Sequence, residues 1–405
     1  MPGTFAQRLQ IDYPILMAPM AGEAAKAPLV AAVSNAGGLG VLGAGYMAPE
    51  KLLATVAEIR ALTSRPFGIN LFVMAPGERD RSGVEAMTDA LRRYHAELGI
   101  DAPLLPASLE ENYERQMEAV LAAGVPVFSF TFGVPSQQQM AALKAAGTCV
   151  MGTATTVDEA IELERRGVDV VVAQGAEAGG HRGTFLGDDF GNAMIGTMAL
   201  VPQVADAVRV PVVAAGGIAE RRGVRAALAL GASAVSVGTA FLSTTESAVS
   251  DAYKQALAAP GSRSTGITRV FSGRPARGVR NRYMDEMRAF ETAAPGYPVT
   301  NALTRDMRQA ASRQGRAEFL SLWAGQAAPL SRNWSVAQLM DELRAGLGCR
   351  RRPAPRVGSD RRQAAPVLGN VSVLLAWRHW YTLSLRQPFW TGRRAAYSED
   401  TPCSA

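Results

Sequence analysis

Up to Phe241, short apolar runs rich in Val, Ile, Ala and Gly alternate with longer segments whose apolar positions recur at helical spacing. The runs at 15–20, 38–43, 66–73, 125–132, 148–153, 168–174, 210–216 and 232–239 read as strands. Between them, 49–64 starts on a proline, and 157–166 follows Thr156, a good N-cap, with Asp158 and Glu159 in its first turn. The segments 137–146 and 222–230 run into Gly147 and Gly231, as helices commonly end. The longest connection, 74–124, carries two helical patterns, around 82–98 and 112–123. Near-continuous apolar strands alternating with amphipathic helices predict a parallel sheet buried on both faces. Eight such beats predict an α/β fold, a (β/α)8 TIM-type barrel, with an open doubly wound sheet as the main competitor.

After Phe241 the alternation stops. Segments 247–258, 301–323 and 335–345 have helical character, the last with Ser335 as N-cap, while 266–278 reads as irregular and basic. The expected organisation is a barrel over 1–245, a helical cap or lid packed on it over 246–348, and a tail over 349–405. The tail is rich in Arg, Pro and Trp, and its apolar stretch 366–377 is too short to span a bilayer. It is expected to be poorly ordered.

Charge changes this picture in one respect. The chain carries a net charge of +6, but 350–405 alone holds ten arginines, no lysines and three acids. The remainder is therefore nearly neutral, which removes the case for nucleic acid as a partner of the body. Three scattered cysteines suggest neither a disulfide framework nor a zinc site, and no histidine–carboxylate cluster suggests another metal. No signal peptide is evident, so a cytoplasmic protein without a membrane partner is expected.

In a barrel of this kind the active site lies at the C-terminal ends of the strands. There the sequence places "MAPMAG", "GINLFV", "QGAEAGGHRG", "AAGGIA" and "VSVGTAF". The glycine turns Gly216–Gly217 and Gly238–Thr239, on the last two strands, read as a phosphate site built from backbone N–H groups, or else as two tight turns. His181 stands among glycines that leave its loop free to fold inward over that site. Its imidazole is a candidate general base or anion binder; the plainer alternative is a histidine that caps its own loop. His95, in a helical pattern beside two arginines, reads as a surface residue, and the basic run 274–282 as a solvated loop. "GLGVLG" at 38–43 matches a dinucleotide fingerprint literally but falls inside a strand, where small residues packing a barrel interior explain it better. Met17 and Met20 are as consistent with core packing as with cofactor contact.

Taken together, "ILMAPMAG", "AGGLGVLGAGYM", "FGINLFV", "AQGAEAGGHRG", "AAGGIA" and "VGTAFL" resemble the nitronate monooxygenase family, formerly called 2-nitropropane dioxygenases. The resemblance extends over roughly residues 11–345, including "YPVTNALT" and "AEFLSLWAGQ", and leaves out the tail. It implies an FMN-dependent enzyme that oxidises alkyl nitronates with O2 to carbonyl compounds and nitrite. It further implies that Met17, Ala18 and Pro19 line the flavin ring and that Asn70 and Gln174 bond its polar edge. Gly179, Gly216, Gly217, Gly238 and Thr239 would hold the ribityl phosphate, with His181 as the active-site histidine. Ser236 stands where the family commonly has glutamine, which weakens its assignment to the flavin site. Tyr297 is a further candidate for the substrate pocket. Two rivals share parts of this pattern: NADH-dependent enoyl-acyl carrier or quinone reductases with a similar "EAGGH" loop, and a flavin-free phosphate-ligand barrel.

Overall fold

The computed structural model describes residues 5–22, 24, 26–74, 81–109, 112–187 and 190–348; the tail 349–405, expected to be poorly ordered, lies outside the described residues. The chain opens with helix α1 (Phe5–Leu9), strands β1 (Ile15–Met17) and β2 (Met20–Ala21), and α2 (Ala27–Asn35). Then come β3 (Gly40–Gly43), α3 (Pro49–Leu62), β4 (Phe67–Phe72), α4 (Val84–Leu98), α5 (Tyr113–Ala123) and β5 (Val127–Thr131). The alternation continues through α6 (Gln137–Ala145), β6 (Cys149–Ala154), α7 (Val157–Arg165), β7 (Val170–Gln174), β8 (Gly180–His181) and α8 (Thr197–Ala207). It ends with β9 (Val212–Ala215), α9 (Arg221–Ala229), β10 (Ala234–Val237) and the one-turn α10 (Thr239–Leu242).

All eight predicted strands are present, the first divided into β1 and β2. The sheet runs β1-β10-β9-β7-β6-β5-β4-β3-β2 with every pairing parallel. It closes because β1 also reaches the strand on its other side: Met17 N–H donates to Leu39 O (2.9 Å), and Leu39 N–H to Ile15 O (3.0 Å). The closed ring sets the barrel apart from the open-sheet competitor. Period-2 alternation then sorts the side chains. Leu16, Leu39, Val41, Val127, Met151, Val170, Val213 and Ala234 pack in one interior cluster, sealed at the N-terminal end by Phe5, Leu9 and Ile11. Their neighbours in sequence face the helices. Gly38 and Gly40 serve close packing outside the ring, contrary to the expectation of interior filling, whereas Gly43 faces inward beside its strand partner Asn70. A Cβ on Gly40 would lie 2.1 Å from Val30 O of α2.

The segment after β10 contains α11 (Asp251–Ala258), β11 (Thr265–Thr268), β12 (Ala276–Val279), α12 (Arg282–Glu286), α13 (Val299–Leu303), α14 (Arg305–Gln314) and α15 (Val336–Arg344). Helix α15 buries Val336, Leu339, Met340 and Leu343, one face at helical spacing, against α2 and α9. With α10 only one turn long, α15 occupies the barrel's eighth helix position. Ser335 caps it in a capping box with Gln338. The other late helices form a separate core with α4, through Met87, Leu91, Tyr94, Tyr283, Met307 and Phe319 among others.

Three expectations are corrected here. The stretch 266–278 is a hairpin, with β11 and β12 antiparallel and β12 pairing in turn with β8. Its Gly and Arg content hides strands that exist because β8 offers an edge. His95 is buried, 2% exposed, with its Nδ1 2.5 Å from Asp101 O. Its helix α4 turns that face toward the second core rather than to water. The predicted helix over 301–323 is also broken: α13 and α14 are followed by a short 3-10 turn at Ala317–Phe319.

Candidate active site

The barrel interior changes character toward its C-terminal mouth. Beyond the apolar layer, toward the mouth, the inward positions include Asn70, Ser129, Thr131, Thr153, Gln174 and Ser236. Asn70 Nδ2 donates to Ser129 Oγ (2.9 Å) and is 3.4 Å from Thr131 Oγ1. Ser236 is buried between its strand partners Leu16 and Ala215.

The histidine loop folds over this mouth, as its glycines led one to expect. A Cβ on Gly183 would lie 2.8 Å from Thr153 Cγ2, so the backbone rests directly on the barrel rim. Gln174 ties the loop down, donating from Nε2 to His181 O (3.1 Å) and accepting from Gly183 N–H (2.9 Å). Arg182, 1% exposed, donates to the carbonyls of Gly175 (2.7 Å), Gln174 (3.0 Å) and Ala193 (2.9 Å). Glu159, fully buried, accepts from the N–H groups of Thr155 (2.6 Å), Phe185 (2.5 Å) and Leu186 (3.0 Å), and from Thr155 Oγ1 (2.7 Å). Both ends of the loop are therefore held by buried charged side chains whose hydrogen bonds go to backbone and hydroxyl groups.

His181 itself lies on β8, opposite Ala276 of β12. Its ring is surrounded by Trp323 (centroids 5.5 Å apart), Phe132 (5.7 Å), Tyr297 (6.1 Å) and Phe72 (6.4 Å). Tyr46 continues the cage, edge-on to Phe72 and hydrogen-bonded to Tyr297. Two cations flank it. The Arg274 guanidinium stacks 4.1 Å from the Phe132 ring centre and donates to the carbonyls of Arg182 and Thr184. Arg308 donates to Asn301 O (2.8 Å) and Oδ1 (2.9 Å), and to Thr304 O (3.3 Å). Burial in this cage, reinforced by the charges of Arg274 and Arg308, pushes the His181 pKa down to about 3. The imidazole is therefore neutral at physiological pH. Burial lowers the Arg274 pKa to about 10, which leaves it cationic.

The glycine turns stand on the same rim. Gly216 and Gly217 have φ of +106° and +72°, and a Cβ on Gly216 would sit 3.0 Å from Ala178 N. Thr197 Oγ1 lies 2.8 Å from the Glu177 carboxylate, to which it donates, and 3.0 Å from Gly216 O, which joins the turn to the loop after β7. Across the rim, Ala18 N–H donates to Val237 O (2.8 Å), placing Ala18 and Pro19 beside Gly238. Thr239 Oγ1 accepts from Gly325 N–H (2.9 Å), and Gly179 packs its backbone on Ala324 and Gly325. The segment 323–325 therefore touches the histidine through Trp323, the Gly238–Thr239 turn through Gly325, and the β7 loop through Gly179. The predicted residues converge.

One predicted contact is not brought to the rim as a side chain. Met17 is fully buried in the cluster between strands and helices. Strand alternation turns it away from the mouth, where Ala18 and Pro19 stand. Other neighbours of His181 were missed. Arg274, expected in a solvated loop, stacks in the cage, and Ser272, Arg308 and Phe132 join it from distant segments. Phe132 also adopts φ +80°, a costly conformation for a bulky residue, which marks a constrained site. Only "YPVTNALT", with Tyr297, and "AEFLSLWAGQ", with Trp323, carried a sequence signal for this side of the pocket.

A closed α/β barrel whose mouth joins a glycine-lined rim to a histidine in a cationic, aromatic cage has the build of a small-molecule enzyme, and the relatives of the chain make it a flavin-dependent oxidoreductase. The chain belongs to the nitronate monooxygenase family, whose model matches residues 4–346. It is 45% identical over 338 residues to a "probable nitronate monooxygenase" of Staphylococcus haemolyticus, covering 83% of this chain and 94% of that protein. Among solved structures, nitroalkane oxidase from Streptomyces ansochromogenes superposes with a TM-score of 0.80 at 40% identity, covering 84% of this chain and 97% of that one. FabK from Thermotoga maritima superposes with a TM-score of 0.67 at 31% identity, covering 85% and 96%. The family oxidises nitronates. Among the described residues no helix is long and apolar enough to cross a membrane.

Proposed function

We propose that this protein binds FMN non-covalently at the barrel mouth and uses O2 to convert alkyl nitronates to carbonyl compounds and nitrite. The observation that carries this reading is the position of His181, neutral and flanked by two arginines, beside a rim of small residues. That rim suits a flavin nucleotide. Among the described residues, the N–H groups of Gly216, Gly217 and Gly238 form no hydrogen bond, and no side chain of their own stands between them and a phosphate. Gly216, Gly217, Gly238 and Thr239 would hold the phosphate end, with Gly179 shaping the adjoining loop. Ala18, Pro19 and Asn70 would meet the ring, with Met17 supporting them from below. Gln174 has both ends of its carboxamide on the histidine loop, so its part is to hold that loop in place. Ser236 adds only a short hydroxyl deep in the barrel.

Bound flavin supplies the electron acceptor and the site of reaction with O2. The chain supplies orientation and charge. Arg274 and Arg308 donate their described hydrogen bonds to neutral oxygens rather than to carboxylates, which leaves their charge to attract an anionic nitronate. Tyr297, Trp323 and Phe132 exclude water around its apolar end. His181 accepts the proton of a neutral nitroalkane, forming the anion in place. Replacing Arg274 by Met should raise KM for a nitronate about tenfold, as for loss of one partly buried charge contact. It should change kcat less, and steady-state O2 uptake separates the two.

Anaerobic mixing tests the whole reading. Ethyl nitronate should bleach the yellow protein rapidly and NADH slowly or not at all, and aerobic turnover should release nitrite. Rapid bleaching by NADH would move the protein to the reductases of this barrel type. A colourless purified protein that does not take up FMN would remove the flavin.

A further inference from the structure

Beyond His181, the structure singles out a residue that determines which of its two nitrogens works. Ser272 lies in the turn between β11 and β12 and is 1% exposed. Its Oγ makes three contacts: 2.9 Å to His181 Nε2, 3.1 Å to Arg274 O, and 3.3 Å from Arg274 N–H. A serine hydroxyl has one proton to give and two lone pairs to accept with. Arg274 N–H must donate to it. The carbonyl of Arg274 can only accept, so with no hydrogen between them the two oxygens would face each other lone pair to lone pair. The Ser272 proton therefore points at Arg274 O, and the remaining contact is satisfied only if His181 Nε2 carries a hydrogen and donates it. The opposite arrangement, with Ser272 donating to Nε2, leaves that oxygen–oxygen contact uncompensated.

We propose that Ser272 is a positioning residue that fixes His181 as the Nε2–H tautomer and thereby leaves Nδ1 as the proton acceptor. No hydrogen bond from Nδ1 to a described residue competes with a substrate. The support is rigid. His181 pairs with Ala276 on the strand that leaves the turn, and Glu291 clamps the turn's other side, accepting from Arg269 N–H (2.7 Å) and Thr268 Oγ1 (2.5 Å). In the proton transfer, the C–H bond beside the nitro group breaks and its electron pair stays on the substrate as the nitronate. The proton forms the Nδ1–H bond, and the resulting imidazolium keeps its Nε2–H bond to Ser272. Unlike a charged partner, a hydroxyl orients the ring without raising its basicity through charge. This rests on His181 being the base, but the tautomer exists with or without turnover.

Nitrogen-15 NMR of the flavin-loaded, histidine-labelled protein decides it, the His181 signals being those lost in His181→Asn. The wild type should show a protonated Nε2 and a bare Nδ1. In Ser272→Ala both tautomers should appear, and turnover of a neutral nitroalkane should fall about 10- to 100-fold, less than the roughly 10,000-fold loss when the wrong tautomer is imposed outright. Ser272→Thr, which keeps the hydroxyl, should return the single Nε2–H form. A wild-type spectrum with the proton on Nδ1 overturns the proposal even if neither Ser272 variant folds. So does a Ser272→Ala spectrum matching the wild type. Neither result would by itself argue against nitronate oxidation, which the anaerobic experiment addresses separately.

Discussion

His181→Asn should leave a folded, yellow protein whose turnover of a neutral nitroalkane is lower by about 100- to 10,000-fold, the usual contribution of a positioned general base. The ring contacts its cage through faces and edges, and Asn is smaller and neutral, so neither the loop nor the flavin rim loses a charge. The loop remains tied by Gln174, Arg182 and Glu159, which bind its backbone rather than the imidazole. The pH profile supplies a second check. Burial and the nearby arginines hold the His181 pKa at about 3, so the neutral base persists well below its ordinary range. In the free enzyme, kcat/KM for a nitroalkane should therefore show no loss from His181 as pH falls from 8 to 5. A fall centred near pH 6.5, absent in His181→Asn, would show an ordinary solvated imidazole and contradict the cage. Unchanged turnover in the variant would remove His181 from the chemistry.

Gly216→Ala should separate cofactor binding from folding. The position has φ +106°, and an added Cβ would approach Ala178 N at 3.0 Å and Gly175 O at 3.1 Å. A left-handed conformation costs an L-residue on the order of 1–2 kcal/mol, and relief requires the turn to move. Because Gly216 lies beyond the end of β9, that movement disturbs the rim rather than the barrel core. FMN affinity should fall about 10- to 100-fold, equivalent to roughly 1.4–2.8 kcal/mol. The purified variant should be pale, with a circular dichroism spectrum like that of the wild type. Full flavin occupancy at wild-type affinity would mean that the turn does not hold the nucleotide.

The two variants also show how unevenly the site could be read in advance. Gly216, Gly217 and the histidine loop were legible because glycine at strand ends is a local signal: few other residues tolerate such conformations or such close backbone approach. The parallel strands were legible for a similar reason, since burial on both faces leaves a run of Val, Ile and Ala that needs no partner to be recognised. Arg274 and Ser272 carried no such mark. They belong to a hairpin whose strands, "TGIT" and "ARGV", have weak intrinsic preference and form because β8 lies alongside. His95 failed in the opposite sense: its arginine neighbours suggested water, while the second core claimed its face of the helix.

The sequence by itself determined the (β/α)8 alternation, the mouth as the place for chemistry, and the histidine among glycines, because each depends on period, local backbone freedom or residue type. Tertiary structure decided the rest. It closed the ring through Leu39, lent α15 to the barrel as its eighth helix, turned Met17 away from the rim, and brought Ser272, Arg274, Arg308 and Trp323 around one imidazole. Those outcomes depend on which surfaces meet when distant segments bury their apolar faces together, and no local pattern encodes that choice.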